Sequence, residues 1–181
     1  MPGDDMQRDA RPRTHCEVHV QAPLQRIWEL VTDIRLPARF SPELQRVAWL
    51  DGVQGPAVGA RFEGHNQHPR IGEWRTVSHV VELDERRVFA WAVTDADGRY
   101  GKVASDADRP LATWRYELHS EEEGVRLRQA VVVGPGRSGL TKAVELQPDR
   151  AEQIVAFRLE ELRSGMETTL REIKKLAEQP A

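Results

Sequence analysis

The strongest pattern in the chain is an apolar stripe near its C-terminus, over residues 148–178. Apolar or small residues recur there at alternating steps of four and three, and the positions between them are mostly Glu, Arg and Lys. This spacing predicts one amphipathic helix. At a rise of about 1.5 Å per residue, such a helix is roughly 45 Å long and crosses a whole sheet. The stripe consists of Val155, Leu159, Leu162, Met166, Thr169, Ile173 and Leu176.

A strand and two short helices are predicted ahead of the middle of the chain. Apolar and polar residues alternate over residues 14–21, which is the period of a half-buried strand. After Pro23, apolar residues recur at three- and four-residue steps over residues 24–31, and this predicts a short amphipathic helix. A second short helix is expected over residues 36–41, just before Pro42.

The middle of the chain alternates strand-like runs with turn residues, and residues 95–110 form a polar segment that we expect to be a surface loop. Together with the first strand, the runs predict a seven-stranded antiparallel meander. The order of strand, two short helices, further strands and long helix is typical of an α+β fold. A curved sheet must bury its concave face, so we expect it to wrap around the C-terminal helix. The runs are residues 44–51, 60–67, 73–83, 87–94, 111–120 and 124–133.

Composition and charge limit the class of protein. The 181 residues suffice for one domain over residues 14–181, preceded by a polar segment without periodicity at residues 1–13 that we expect to be a flexible arm. No apolar run is long enough to span a membrane, and no apolar signal segment is present, so we expect a cytoplasmic protein. The net charge is -3 without a basic block, which argues against nucleic acid as a partner.

No metal ion or other cofactor is expected. The single cysteine, Cys16, excludes an internal disulfide and a multi-cysteine metal site, and its place in a predicted strand indicates a packing role. His65 and His68 lie near Glu73 in sequence, but strand residues three apart point to opposite faces. The histidines therefore do not predict a metal site.

Residues 134–147 join the last predicted strand to the long helix. They are rich in glycine but lack the Lys and Ser or Thr of a phosphate-binding loop. Because the segment would lie beside the open end of the sheet, it is either a mobile gate or an ordinary connection. As a gate, its apolar underside would consist of Leu140, Ala143, Val144 and Leu146.

Gly165 interrupts the long helix, where glycine costs about 1 kcal/mol relative to alanine. A glycine at such a position often marks the close approach of another group. Two interpretations stay open, a ligand beside the helix and tight packing of the helix on the sheet.

Short motifs along nearly the whole chain after residue 14 carry a family resemblance. They are Ala22-Pro23 followed by Ile27-Trp28-Glu29-Leu30-Val31, Val58-Gly59-Ala60-Arg61-Phe62 with Gly64 and Asn66, then Trp74, Val80 and Val81, Phe89-Ala90-Trp91, Trp114-Arg115-Tyr116, and Gly165-Met166-Glu167 with Leu170 and Ile173. Together they resemble the superfamily of START-like lipid-transfer domains, polyketide cyclases and dehydrases, and birch-pollen-allergen-like proteins. The resemblance implies a helix-grip fold with an interior pocket. It implies no single reaction, since the superfamily includes enzymes, carriers and ligand sensors.

Strand alternation indicates which side chains face the interior. Phe62, Gly64 and Asn66 share one face of their predicted strand, and the apolar member marks that face as the inner one. The same argument along the other strands gives an aromatic inner face with a few neutral polar groups, which either lines a ligand pocket or fills a core. With Met166 of the helix added, the candidate ligand-binding residues are Phe62, Asn66, Trp74, Thr76, Ser78, Phe89, Trp91, Trp114, Tyr116, Gln129 and Met166.

Tyr116 is the only side chain of this inward set with a titratable proton, so it is the one catalytic candidate. The absence of an inward histidine or carboxylate favours noncovalent binding of a small hydrophobic or aromatic molecule, such as a lipid, a polyketide or a related metabolite. The alternatives are a polyketide aromatase/cyclase or dehydrase, and a protein-interaction module. An edge strand of the sheet could also support a homodimer.

Overall fold

The computed structural model describes residues 10–101 and 107–180, and within them one antiparallel sheet dominates the fold. The strand order is β1-β7-β6-β5-β4-β3-β2, so that every neighbour except the pair of β1 and β7 is also adjacent in sequence. The expected seven-stranded meander is confirmed, with strand ends within two residues of the predicted ones. The strands are β1 (Arg13–Val20), β2 (Leu44–Trp49), β3 (Arg61–His68), β4 (Gly72–Asp84), β5 (Val88–Asp95), β6 (Ala112–Ser120) and β7 (Val125–Val133).

The helices complete the predicted helix-grip fold, which is confirmed. Helix α1 (Leu24–Thr32) follows β1, and the second short helix expected after it is a single 3-10 turn at Pro37–Arg39. The C-terminal helix α3 (Ala151–Glu178) is preceded by a 3-10 turn at Pro148–Arg150, so the α-helix begins three residues later than its pattern suggests.

One helix was not predicted. Helix α2 (Gly139–Leu146) forms within the glycine-rich segment that joins β7 to α3. Its start is stabilised by Thr141, whose Oγ1 accepts a hydrogen bond from the backbone N–H of Ser138 at 3.1 Å. At eight residues the helix is too short for its apolar spacing to stand out from the surrounding Gly and Pro residues.

The core lies where α1 and the C-terminal half of α3 meet β1, β6 and β7. Val20, Ile27, Leu127 and Ile173 are fully buried there. Each such side chain contributes about 1.5–3 kcal/mol through removal of its apolar surface from water. This packing anchors α3 along β1 and leaves the N-terminal half of α3, where the apolar stripe is only half-buried, to face the open end of the sheet.

The inward and outward faces of β4 follow the predicted alternation up to a bulge. The register with β5 shifts between Val80 and Glu82, which leaves Val81 exposed. Because the bulge lies beyond Trp74, Thr76 and Ser78, these residues keep the inward orientation expected for them.

The predicted N-terminal arm begins with residues 1–9, which lie outside the described part of the chain. The sheet starts one residue before the expected boundary, since Arg13 pairs with Val132 of β7. Within residues 10–101 and 107–180, no helix is long and apolar enough to cross a membrane.

Candidate functional site

A cavity of about 260 Å³ lies between the concave face of the sheet and helix α3. Most of its wall is apolar, and the sheet contributes one wall while Leu162, Gly165, Met166 and Thr169 contribute another. The structure places every candidate residue on this wall, although ligand contact by any of them stays a prediction. The candidates on the wall are Phe62, Asn66, Trp74, Thr76, Ser78, Phe89, Trp91, Trp114, Tyr116, Gln129 and Met166.

Trp91 is the centre of an aromatic cluster on the sheet side of the cavity. It stacks nearly parallel to Trp114, its cross-strand partner on β6, with ring centroids 6.4 Å apart and an interplanar angle of 9°. The rings of Phe62, Phe89 and Tyr116 lie 6.2, 5.0 and 5.7 Å from the Trp91 ring. Such ring pairs add about 0.5–1.5 kcal/mol beyond simple burial. The cluster therefore packs on itself and also presents ring surface to the cavity.

Two buried polar atoms have no hydrogen-bond partner among the described residues, and both belong to residues that line the cavity. They are the hydroxyl oxygen of Tyr116 and Oε1 of Gln129. The two residues oppose each other across β6 and β7. Burial raises the pKa of Tyr116 well above its ordinary value, so the hydroxyl stays protonated and can donate a hydrogen bond.

Gly165 faces the cavity from helix α3. A Cβ atom built on it would meet no atom within 4 Å. The interpretation as tight helix-on-sheet packing is therefore wrong, because no neighbour approaches closely enough to exclude a side chain. The missing side chain instead leaves room inside the cavity.

The mouth of the cavity carries charged side chains, contrary to the expectation that no histidine or carboxylate points inward. Glu43, Arg158 and Glu161 line the cavity, and His68 is 9% exposed beside them. His68 has the same parity in β3 as Phe62, so strand alternation could have found it. The signal was missed because the predicted strand ended one residue earlier.

Arg158 connects the charged groups at the mouth. Its guanidinium donates to both carboxylate oxygens of Glu43, at 2.5 and 3.0 Å, and to Oε2 of Glu161 at 3.3 Å. Burial lowers the pKa of Arg158, but the hydrogen bonds that its guanidinium donates to Glu43 and Glu161 outweigh this effect and raise the pKa above its ordinary value. Arg158 thus stays charged and hydrogen-bonded to both carboxylates.

His68 is hydrogen-bonded through both ring nitrogens at the same mouth. Its Nδ1 accepts a hydrogen bond from the backbone N–H of Arg70 at 3.1 Å, so the ring proton lies on Nε2. Nε2 lies 3.2 Å from Oε1 of Glu161 and donates to it. His65 points to the other face of the sheet, within 3.4 Å of Glu63. Among residues 10–101 and 107–180, no three His, Cys, Asp or Glu side chains are grouped to hold a metal ion.

The segment expected to be a polar surface loop contributes to the rim of the cavity instead. Asp95 belongs to β5 and is buried, and Tyr100 lines the cavity. Burial raises the pKa of Tyr100 above its ordinary value. Residues 102–106 of this segment lie outside the described part of the chain. The lone aromatic residue in a polar stretch was the available signal for this contact.

Arginine side chains hold the rim together. Arg99 donates to the backbone carbonyls of Ile71 and Glu73. Arg137 donates to the carbonyl of Tyr100 at 3.1 Å and forms a bidentate pair with Glu145 of α2, at 2.6 and 2.7 Å. The rim therefore joins the β3–β4 turn, the segment after β5 and helix α2.

Helix α2 covers one side of this rim. Leu140 lies on the cavity wall, and Ala143 and Val144 are half-buried. Leu146 is 72% exposed, so its assignment to an apolar underside is wrong. The helix ends at Leu146, and the chain turns towards α3 before this side chain can reach the cavity. Motion of the segment as a gate stays a prediction.

Comparisons with known proteins agree with this architecture. The family model described as "Polyketide cyclase / dehydrase and lipid transport" matches residues 11–172. The solution structure of the polyketide cyclase-like protein Cgl2372 from Corynebacterium glutamicum is 25% identical, with a TM-score of 0.61, covering 97% of this chain and 93% of that one. No curated protein is similar in sequence at a significant level.

Two aromatase/cyclases share the fold at lower identity. The di-domain aromatase/cyclase StfQ of the steffimycin biosynthetic pathway gives a TM-score of 0.70 at 12% identity, and the match covers 96% of this chain and 53% of StfQ. The ZhuI aromatase/cyclase from Streptomyces sp. R1128 gives a TM-score of 0.60 at 18% identity, and the match covers 92% of this chain and 93% of ZhuI. At these identities the likeness shows the fold alone.

Proposed function

Because this chain belongs to the polyketide cyclase/dehydrase and lipid-transport family, we propose that it binds one small hydrophobic or aromatic molecule noncovalently in its interior cavity. The supporting observation is the open space beside Gly165 of helix α3. The mainly apolar cavity extends to this position, because glycine has no side chain to fill it. Its volume of about 260 Å³ lies just below the usual range for pockets of drug-sized ligands, about 300–1,000 Å³. The occupant is therefore a small molecule, such as a short lipid, a polyketide or a related metabolite.

The aromatic cluster supplies the expected contact area. Trp91 and Trp114 are only half-buried although both stand in central strands of the sheet, since part of each ring borders the cavity. A ligand that covers this surface gains about 25 cal/mol per Å² of apolar area removed from water, less the cost of immobilising the ligand. Binding would then be driven by the hydrophobic effect and directed by the few polar groups on the wall.

The first experiment is native mass spectrometry of freshly purified protein, followed by extraction and identification of any molecule that copurifies. We expect a stoichiometric hydrophobic or aromatic ligand. The matched variants are Gly165→Leu, which fills the cavity, and Ser164→Leu, which adds the same side chain to the solvent side of the helix. Gly165→Leu should lose the ligand and Ser164→Leu should keep it. Equal occupancy in both variants would contradict binding at this site.

A polyketide aromatase/cyclase or dehydrase activity is the second candidate, favoured by the carboxylates of Glu43 and Glu161 at the mouth. A general acid or base needs a proton that is free to move. Both carboxylates are already bound by Arg158, and the raised pKa of Tyr116 makes its phenolate a rare species. These features support binding over catalysis.

The two candidates are separated by the fate of the ligand. The extracted molecule is added back to the protein and followed by mass spectrometry. A binding protein returns it unchanged, whereas a dehydrase removes water from it and a cyclase changes its retention at constant mass. Conversion that is lost in Tyr116→Phe would establish the enzymatic alternative. A cytoplasmic location and a homodimer stay predictions, for fractionation and light scattering to test.

A further inference from the structure

We propose that the ligand of this cavity carries a hydroxyl group, phenolic or alcoholic, that binds between Tyr116 and Gln129. The inference rests on the proposed function and names the chemistry of its occupant. It begins from the two buried polar atoms that lack partners among the described residues, the hydroxyl oxygen of Tyr116 and Oε1 of Gln129.

Tyr116 and Gln129 stand side by side on neighbouring strands of the cavity wall. Tyr116 of β6 and Gln129 of β7 are paired in the register of the two strands, so both point to the same face. They are 1% and 5% exposed, and both line the cavity. Buried polar atoms are nearly always hydrogen-bonded in native proteins. Tyr116 and Gln129 are neighbouring exceptions to this rule on a cavity wall. Their missing hydrogen-bond partner is therefore expected to come from a molecule bound in the cavity.

The hydrogen-bonding capacity of the pair selects the group that fits. The phenol of Tyr116 donates one hydrogen bond, and Oε1 of Gln129 only accepts. One hydroxyl group on a ligand can accept from Tyr116 and donate to Gln129 through the same oxygen atom. A ketone, ether or ester accepts only, so it would leave Oε1 of Gln129 unpaired.

A carboxylate fits this spot poorly. It would place a full charge in an apolar wall, where an unpaired ion is strongly disfavoured, and it would face the carbonyl oxygen of Gln129. The guanidinium of Arg158 lines the same cavity but is bound by Glu43 and Glu161. The hydroxyl is therefore the group that satisfies both atoms without a new charge.

The test compares 2-naphthol, 2-methoxynaphthalene and naphthalene by calorimetry and tryptophan fluorescence. Leaving a buried polar group unpaired weakens binding by about 10- to 100-fold, so 2-naphthol should bind wild-type protein more tightly than 2-methoxynaphthalene by a factor in that range. The ratio of 2-naphthol to naphthalene affinity should fall about tenfold in Tyr116→Phe and in Gln129→Met, while naphthalene itself binds as before. Thr94→Val is the matched control, because Thr94 does not line the cavity and its hydroxyl already donates to the Val77 carbonyl at 2.8 Å.

The outcomes separate the two proposals. Tighter binding of 2-naphthol that disappears in both variants supports the hydroxyl site. Equal affinity of the three probes, or a preference unchanged in Tyr116→Phe and Gln129→Met, overturns the hydroxyl site and leaves the hydrophobic pocket standing. Failure of all three probes to bind wild-type protein freed of copurified ligand overturns the pocket and the hydroxyl site together. Thermal melting shows that each variant is folded.

Discussion

Arg158 of α3 forms a two-point hydrogen bond with Glu43, the residue directly before β2, with N–O distances of 2.5 and 3.0 Å. Their side chains are 18% and 20% exposed, so the pair is largely removed from solvent. It ties the less buried half of α3 to the edge of the sheet at the mouth of the cavity. One ion pair thus joins α3 to the sheet beside the cavity.

Removal of the Arg158 side chain should destabilise the fold. We expect Arg158→Ala to lower the free energy of unfolding by about 1.5–3 kcal/mol in urea denaturation, since Glu43 and Glu161 lose a charged donor. The control is Arg163→Ala on the same helix, whose exposed pair with Glu167 should contribute little. Equal losses of unfolding free energy in the two variants would show that the Arg158–Glu43 pair contributes no more than an exposed ion pair. Glu43→Ala should lower the free energy of unfolding by less in the Arg158→Ala background than in the wild-type protein, because its partner is already absent.

Addition of a single methyl group at Gly165 should stabilise the protein. No atom lies within 4 Å of the position that the new Cβ would occupy, so Gly165→Ala should gain up to about 1 kcal/mol from helix propensity alone. Gly64→Ala is the contrasting variant, because its Cβ would approach Oγ1 of Thr76 at 3.1 Å. Thermal and urea unfolding measure both. A loss of stability in Gly165→Ala would mean that the space beside the helix is filled.

Truncation of apolar side chains should destabilise the protein more in the C-terminal half of α3 than in its N-terminal half. Ile173 is fully buried in the core, so Ile173→Ala should cost about 2–5 kcal/mol of unfolding free energy. Leu162 is half-buried and borders the cavity, so Leu162→Ala should cost distinctly less while it alters ligand affinity. Urea denaturation of the ligand-free variants decides the matter. Similar losses would indicate that the cavity wall is packed like the core.

The thiol of Cys16 should be inert in the folded protein. Burial, chiefly, raises its pKa to about 11, so at pH 8 only about one thiol in a thousand is ionised. Because the folded-state pKa is the higher one, the thiolate becomes common only near pH 11. Modification by iodoacetamide at pH 8 should therefore be slow in native protein and fast in guanidinium. Fast native modification would show that β1 opens readily.

The rim should control how quickly a ligand leaves. Arg137 links the carbonyl of Tyr100 to Glu145 of α2, so Arg137→Ala should raise the dissociation rate of 2-naphthol several-fold in stopped-flow fluorescence. Lys142→Ala, an exposed change on the same helix, is the matched control. An unchanged rate in Arg137→Ala would indicate that the ligand leaves by another route, and that residues 134–147 are an ordinary connection.

Much of the site was predictable because successive side chains along a strand point to opposite faces of the sheet. Phe62, Trp91 and Tyr116 were assigned to the inner face from parity alone, and all of them line the cavity. The same rule would have included His68, had the strand been extended by one residue. Helix α2 escaped prediction because eight residues between glycine and proline carry too little periodic signal.

The sequence by itself determined the order of elements, the inner face of each strand and the apolar stripe of α3, since these depend on local period and turn chemistry. Only the tertiary structure decided which distant groups meet. Arg158 and Glu43 are 115 residues apart, and neither belongs to a pattern that points to the other. The unpartnered pair of Tyr116 and Gln129 and the open space beside Gly165 depend likewise on how far the curved sheet stands from the helix. That distance is set by packing of the whole core, and no local period encodes it.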